Sequence, residues 1–534
     1  MMLSCEQTSC LRVPLLPCTT RYAKASSSPH FAAESLIFSA GFKAWNDLAP
    51  RNLSSRDLPS LNQRQSCIFK AIRVTVTDMT ITMQKKVLNL RDVLIMTVTA
   101  NFGIRWLAVA AGMGPESIFF WCLGALLFFL PLALIAAHLS RKFPDDGGLY
   151  AWVKLALGEK AAFMVAWLYL INGVFFYPAI LIFFATNFTY FLGHPELAQN
   201  HLFITSIVII AFWIIVFASL LGLKFSKYLV NFGGILGTLI PVCLLIIFAL
   251  IALVIYQHSA TDFTAHNWLP NHDVFSNLST LSIIMFAMAG IEVVPTFAKS
   301  VRNPQRDLYL GLLIGAIAIF VFYTFGTLAM NVIATPAEIT NTGGLMQTFS
   351  IIDIKLHMPW LTRPLAGMLT FADLAAVVVW LLAPVIMFFK CTPKGILPNW
   401  FHRSNKYDSP ANALIFMGIL VTVIILLTNL VPGINDMYQV LVLMTTILYF
   451  IPYLYLAVSY IKLGPKLKIN KAVIFLLGTL VFISVSLGIF FSFAPPSDLT
   501  RYHDIMIYET ELVLGPVLFI LAGWVLYRLR KHEA

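Results

Sequence analysis

From residue 83 almost to the end of the chain, uninterrupted apolar runs of about 18–30 residues recur. They fall near 92–111, 117–139, 162–192, 202–222, 229–256, 277–298, 308–333, 366–389, 412–430, 437–459, 472–494 and 511–528. At 1.5 Å per residue each is long enough to cross a hydrocarbon core about 30 Å thick. A backbone in lipid must satisfy its own polar groups, which leaves helices or a closed barrel. Barrel strands read as segments of about ten residues with alternating polarity, whereas these runs are continuous. The expectation is an all-α membrane protein with twelve transmembrane helices. Composition agrees, with 59% hydrophobic and 11% charged residues against roughly 45–50% and 25% in soluble domains. The net charge of +11 comes from Lys and Arg scattered between the apolar runs. No basic patch is formed, so lipid and not nucleic acid is the expected partner.

Lys and Arg placement orients the chain. With a cytoplasmic N-terminus, the inside segments beyond residue 82 hold 23 of them, while the outside loops hold Lys355, Arg363 and Arg501. Both termini are therefore expected in the cytoplasm of a multi-pass protein of the cell membrane, the inner membrane if the source is bacterial. Residues 1–82 are rich in Ser, Pro, Arg and Leu, with no sustained period and no run long enough to span. They read as a poorly ordered extension, not necessarily part of the native start, because Met83-Gln-Lys-Lys would open the transporter domain 83–534 as a short cytoplasmic lead. A transit peptide is the other reading of that segment.

Two of the runs echo each other. Span one contains Ala100-Asn-Phe-Gly-Ile-Arg105 and span six contains Ala287-Met-Ala-Gly-Ile-Glu292, both of the form A-x-x-G-I-charge. An echo five spans apart is what two inverted five-helix repeats would leave, and glycine beside a mid-membrane charge is where such folds break their helices. A charge at that depth costs about 2.5–3.5 kcal/mol on insertion scales and must face protein or water. Opposite signs at equivalent places suggest one polar centre. Arg105 and Glu292 could form a structural ion pair there. Alternatively Arg105, with the amides of the break, meets a substrate carboxylate while Glu292 serves an ammonium group, a gate or a proton.

These residues resemble a known superfamily. Gly290-Ile-Glu-Val-Val-Pro, running on to Asn303-Pro-Gln-Arg-Asp307, is similar to the span-six signature of the amino acid, polyamine and organocation transporters. Phe143-Pro-Asp-Asp-Gly-Gly-Leu-Tyr150 resembles their loop after span two. Leu369-Thr-Phe, Trp380-Leu-Leu-Ala-Pro384 and Lys394-Gly-Ile-Leu-Pro398 are most similar to the glutamate/GABA antiporters among them. The resemblance runs over about residues 88–530. It implies two inverted five-helix repeats plus helices eleven and twelve, with substrate held between broken helices one and six. The implied binding residues are Asn101, Phe102, Gly103, Ile104 and Arg105, then Phe286, Ala289, Gly290, Ile291 and Glu292, and Trp380 near the pocket. Glu292 and Asp373 are the candidate proton or gate residues. Three departures stand out: Ile104 and Arg105 replace the rest of a Gly-Ser-Gly, Ala376 stands where the glutamate/GABA members carry a carboxylate, and Lys299 stands where Glu is common.

Other features carry less. Asp145-Asp146 reads as a solvated turn, Tyr177 and Tyr438 as core, and Pro131, Pro178, Pro241 and Pro384 as kinks that neighbouring helices tolerate. Cys122, Cys243 and Cys391 lie in or beside apolar runs with no CxxC or His cluster, so neither a metal nor another cofactor is expected. No GxxxxGK[ST], HExxH or GxSxG motif is present, which argues against direct ATP drive and against an enzyme. The expected function is secondary active transport of an amino acid or related amine by alternating access, by exchange or with protons. The Ala375-Ala-Val-Val-Val379 stretch lacks the hydroxyls that sodium-coupled relatives of this fold place there. A transporter-like nutrient sensor or accessory subunit is the alternative, and the oligomeric state is left open.

Overall fold

The computed structural model describes residues 87–144, 147–270, 278–390, 392, 399–407, 409–428, 434–494 and 502–529. The extension before Met83, the Asp145-Asp146 turn and the Lys394 to Pro398 motif lie outside them. The described chain is helical, and its one bridge pairs Leu88 with Val301 in parallel.

In chain order the helices are α1 Leu90–Asn101, α2 Arg105–Ala111, α3 Gly114–Lys142, α4 Leu149–Leu157, α5 Glu159–Leu192, α6 His201–Leu220, α7 Tyr228–Tyr256 and α8 Leu278–Met288. They continue with α9 Pro304–Ile333, α10 Gly344–Lys355, α11 Thr362–Phe389, α12 Ala411–Thr428, α13 Ile434–Leu463, α14 Lys471–Phe491 and α15 Tyr502–Arg528. Among the described residues eight helices are long and apolar enough to cross a membrane, and the α1–α2 pair, bent by 46°, makes a ninth crossing if taken as one span. The other three apolar runs of the sequence correspond to shorter pieces. α8 stops at Met288 before a 3-10 turn at Val294–Ser300, while Ala411–Leu427 and Leu512–Arg528 are the apolar parts of α12 and α15.

The outer helices show what solvent they are built for. α9 exposes Ile314, Ile317, Val321 and Phe325 at helical spacing, and α14 exposes Phe475, Leu476, Ile483 and Phe490. Such bands satisfy lipid and would not be tolerated in water. α5 is the opposite case: 94% of its apolar window is buried, against 39% in α6, α7, α9 and α14. It packs on α11 and α13 and so forms the centre of the bundle. α9 approaches α1 closely because Gly311 and Gly315 face Val93 and Thr97, where a Cβ at Gly315 would lie 2.6 Å from Thr97 Cγ2. Small residues four apart are how membrane helices gain contact area.

The prolines are accommodated by local widening and by side-chain donors. A proline lacks the N–H that its fourth preceding carbonyl expects and crowds that carbonyl. For Pro131 and Pro241 the orphaned carbonyl falls inside a π turn, Ala125–Phe129 and Ile235–Leu239 respectively. For Pro384 the orphan is the Trp380 carbonyl, and the Tyr177 hydroxyl donates to it at 2.8 Å. Tyr177, expected to be plain core, is therefore the partner that lets α11 keep its proline.

Candidate functional site

Both echo segments interrupt a helix. α1 ends at Asn101, Phe102 is extended (φ −83, ψ 97), and α2 starts at Arg105. α8 ends at Met288, and Gly290 takes φ +118, which an L side chain rarely adopts. A Cβ at Gly290 would also lie 2.7 Å from Asn101 Oδ1 and 2.9 Å from Trp380 Cζ2, so the two breaks meet face to face.

A break buried in a membrane protein frees carbonyls and amides that need partners. Aromatic side chains from three other helices supply them. Trp380 Nε1 of α11 donates to the Ala100 carbonyl at 2.7 Å. The Tyr323 hydroxyl of α9 accepts from the Gly103 amide at 3.0 Å, and its proton lies between the carbonyls of Ala287, at 2.8 Å, and Asn101, at 3.0 Å. The Tyr453 hydroxyl of α13 accepts from the Gly290 amide at 2.7 Å.

Beside the first break lies a small cavity, with room for about one water molecule in this state. Of the residues singled out in the sequence, Phe102, Gly103, Ile104, Arg105, Asp373 and Trp380 line it, together with Ala376. Ala100, the first residue of the echo, also lines it, as do Thr99, Ile180, Thr238 and Ala372, which no motif marked. Arg105 and Asp373 are each 6% exposed. The Arg105 guanidinium stands 4.6 Å from the Trp106 ring centroid and 5.4 Å from that of Phe176, with Asp373, Tyr323 and Tyr438 in electrostatic reach. Asn187 Nδ2 donates to Asp373 Oδ2 at 3.3 Å. One guanidinium and one carboxyl group thus border the same small space.

Glu292 is elsewhere. It has no exposed surface, and its carboxylate accepts from Tyr169 at 2.9 Å and from Tyr449 on Oε1, and from Tyr453 at 2.7 Å on Oε2. The ion pair between Arg105 and Glu292 is not formed. Among the described residues the close pairs of opposite type are Lys154–Glu159 and, when the imidazole is protonated, His194–Glu196, and hydroxyl donors already meet both Glu292 oxygens. Phe286, Ala289 and Ile291 are buried near this cluster and do not line the cavity, nor do Asn101 and Gly290. Phe286 meets Trp106, Phe176 and Tyr449 edge-on at 5.6–5.8 Å. Trp380 joins the two regions, facing the cavity while its ring sits 5.6 Å from Tyr449.

Sequence reasoning missed the tyrosine cluster. The available signal was Tyr449 and Tyr453, four apart in an apolar helix, since buried tyrosines present a polar end that needs a partner.

Lipid-facing helices around paired breaks and a buried charged cavity are the architecture of a membrane carrier. A family model described as amino acid permease matches residues 88–519. The chain belongs to the amino acid permease family, and it is a multi-pass membrane transporter, not an enzyme. It is 29% identical over 458 residues to an uncharacterized transporter of Legionella pneumophila, covering 84% of this chain and 98% of that one. A glutamate/gamma-aminobutyrate antiporter of Lactococcus lactis is 25% identical, over 78% of this chain and 86% of its own. A probable agmatine/putrescine antiporter of the same species is 22% identical, over 82% and 94%.

Proposed function

We propose that this chain is a secondary carrier of the cell membrane that moves an amino acid or related amine by alternating access, by exchange or with protons. The observation that carries this is the cavity beside two abutting helix breaks, with Arg105 and Asp373 on its wall. A guanidinium there suits a carboxylate, and a carboxylate suits an ammonium group. The names of the relatives support exchange and substrates bearing an amine. On this reading the twelve apolar runs are twelve spans, built as two inverted five-helix repeats plus two more, with both termini cytoplasmic.

Inversion also accounts for the separation of Arg105 from Glu292. The first broken helix runs outward and the other inward, so a charge just after each break falls on opposite sides of the midplane. Arg105 then faces substrate from the outer side. Glu292 and its tyrosines close the inner side beneath Trp380, as a gate or proton site.

The test is uptake in proteoliposomes of radiolabelled glutamate, gamma-aminobutyrate, agmatine and putrescine at two pH values, with and without internal unlabelled substrate. Saturable uptake accelerated by internal substrate is expected for at least one compound. Uptake that none of them saturates would overturn the reading.

A further inference from the structure

Tyr323 is not part of any motif in the sequence, yet its hydroxyl touches the backbone of both breaks. It accepts from Gly103 in the first and donates toward Ala287 in the second or Asn101 in the first, at 2.8–3.0 Å. The side chain is fully buried. Its ring is stacked on Trp121 with centroids 4.4 Å apart and planes 9° from parallel, and Trp121 is itself fixed by a 3.0 Å bond from Nε1 to Thr327 Oγ1. Phe102 also packs on it, with centroids 4.7 Å apart and planes tilted by 54°. A hydroxyl aimed this firmly has one proton and two lone pairs to give, and it places them where two separate helices have lost their own partners. Trp380 and Tyr453 each touch the backbone of one break.

We infer that Tyr323 is a positioning residue that ties the first helix break to the second, and that by occupying the Gly103 amide it leaves Arg105 as the holder of an anionic substrate group. The tie means that the segments around Gly103 and Ala287 cannot shift independently. The occupied amide removes one N–H donor from the carboxylate-binding mode of a glycine-rich break in this state. The second half rests on the carrier reading proposed above; the first half does not.

The experiment uses the full chain in nanodiscs and Tyr323→Phe, which removes the hydroxyl and keeps the ring. Amide hydrogen exchange is followed in peptides covering 101–106 and 286–293. Both are expected to exchange on the order of tenfold faster in the variant, the change that loss of a bond worth about 1.4 kcal/mol produces. Thr327→Val, which removes the Trp121 partner and leaves the hydroxyl, is expected to change them less. Acceleration of one peptide alone, or of neither, overturns the tie. If Tyr323→Phe does not accumulate, the wild-type chain is read instead under rising urea, where the two peptides should open at one concentration; separate openings overturn the tie. Uptake of radiolabelled gamma-aminobutyrate and glutamate tests the second half. Arg105→Gln should raise KM, and adding Tyr323→Phe to it should recover part of that loss because the Gly103 amide is released. An unchanged KM in the double variant overturns the assignment to Arg105. Absence of uptake by the wild type overturns the carrier reading, while the exchange result still decides the tie.

Discussion

Glu292 carries a carboxylate into a place with no exposed surface, where three tyrosine hydroxyls meet it. Each is a donor to an oxygen that only accepts, an arrangement roughly twice as strong per bond as one between neutral groups. Glu292→Gln puts two N–H donors where one oxygen stood, and at least one tyrosine must turn its proton away. A loss of about 1.5–3 kcal/mol is expected, read as a lowered midpoint of thermal unfolding in nanodiscs. Tyr449 and Tyr453 lie on one face of α13, one turn apart. Arg105 sits among Trp106, Phe176 and Asp373 and shares none of these hydrogen bonds. The stability losses of Arg105→Gln and Glu292→Gln should therefore add within about 0.5 kcal/mol in a double-mutant cycle. A larger coupling would restore the ion pair that the sequence suggested. The sequence leaves that pair open because it shows charge and depth but not which side chains from distant helices arrive first. Tyr169, Tyr449 and Tyr453 are 123 to 161 positions away from Glu292, and they are three of 18 tyrosines.

At the scale of elements, the two helix breaks were legible from glycine beside a charge in an apolar run. Their stabilisation was not legible, because the donors and acceptors come from α9, α11 and α13 through Tyr323, Trp380 and Tyr453. Gly290 is the most constrained point. Its φ of +118 excludes an ordinary side chain, and a Cβ would press on Asn101 and Trp380 at under 3.0 Å. Gly290→Ala should cost more than about 2 kcal/mol, combining backbone strain with forced displacement of Trp380. Reduced yield of folded protein on size-exclusion chromatography is the readout. A variant with wild-type melting would mean that this backbone is not held as described. Gly103 is different, with no left-handed φ; a Cβ there would lie 2.8 Å from Trp106 Nε1, and its amide is held by Tyr323.

Across the whole molecule, apolar run length was enough to place the helices, since lipid leaves a chain few alternatives. It could not show that the piece ending at Met288 stops short or that α5 lies at the centre of the bundle, because a fully apolar helix carries no period to say which face meets protein. The proposed orientation rests on the 23 Lys and Arg that it places inside against three outside. Single cysteines near residues 225 and 465 should react with impermeant thiol reagents from the cytoplasmic side, and ones near 197 and 265 from the outside; reversal at two of these would remove the inverted-repeat reading. The most direct test of the carrier site is Ala376→Cys, since Ala376 lines the cavity beside Arg105 and Asp373. In proteoliposomes, a small thiol reagent should modify this cysteine, a transported amino acid or amine should slow that modification several-fold, and modified protein should lose counterflow. Modification indifferent to every transported compound, with counterflow intact afterwards, would place the substrate somewhere else.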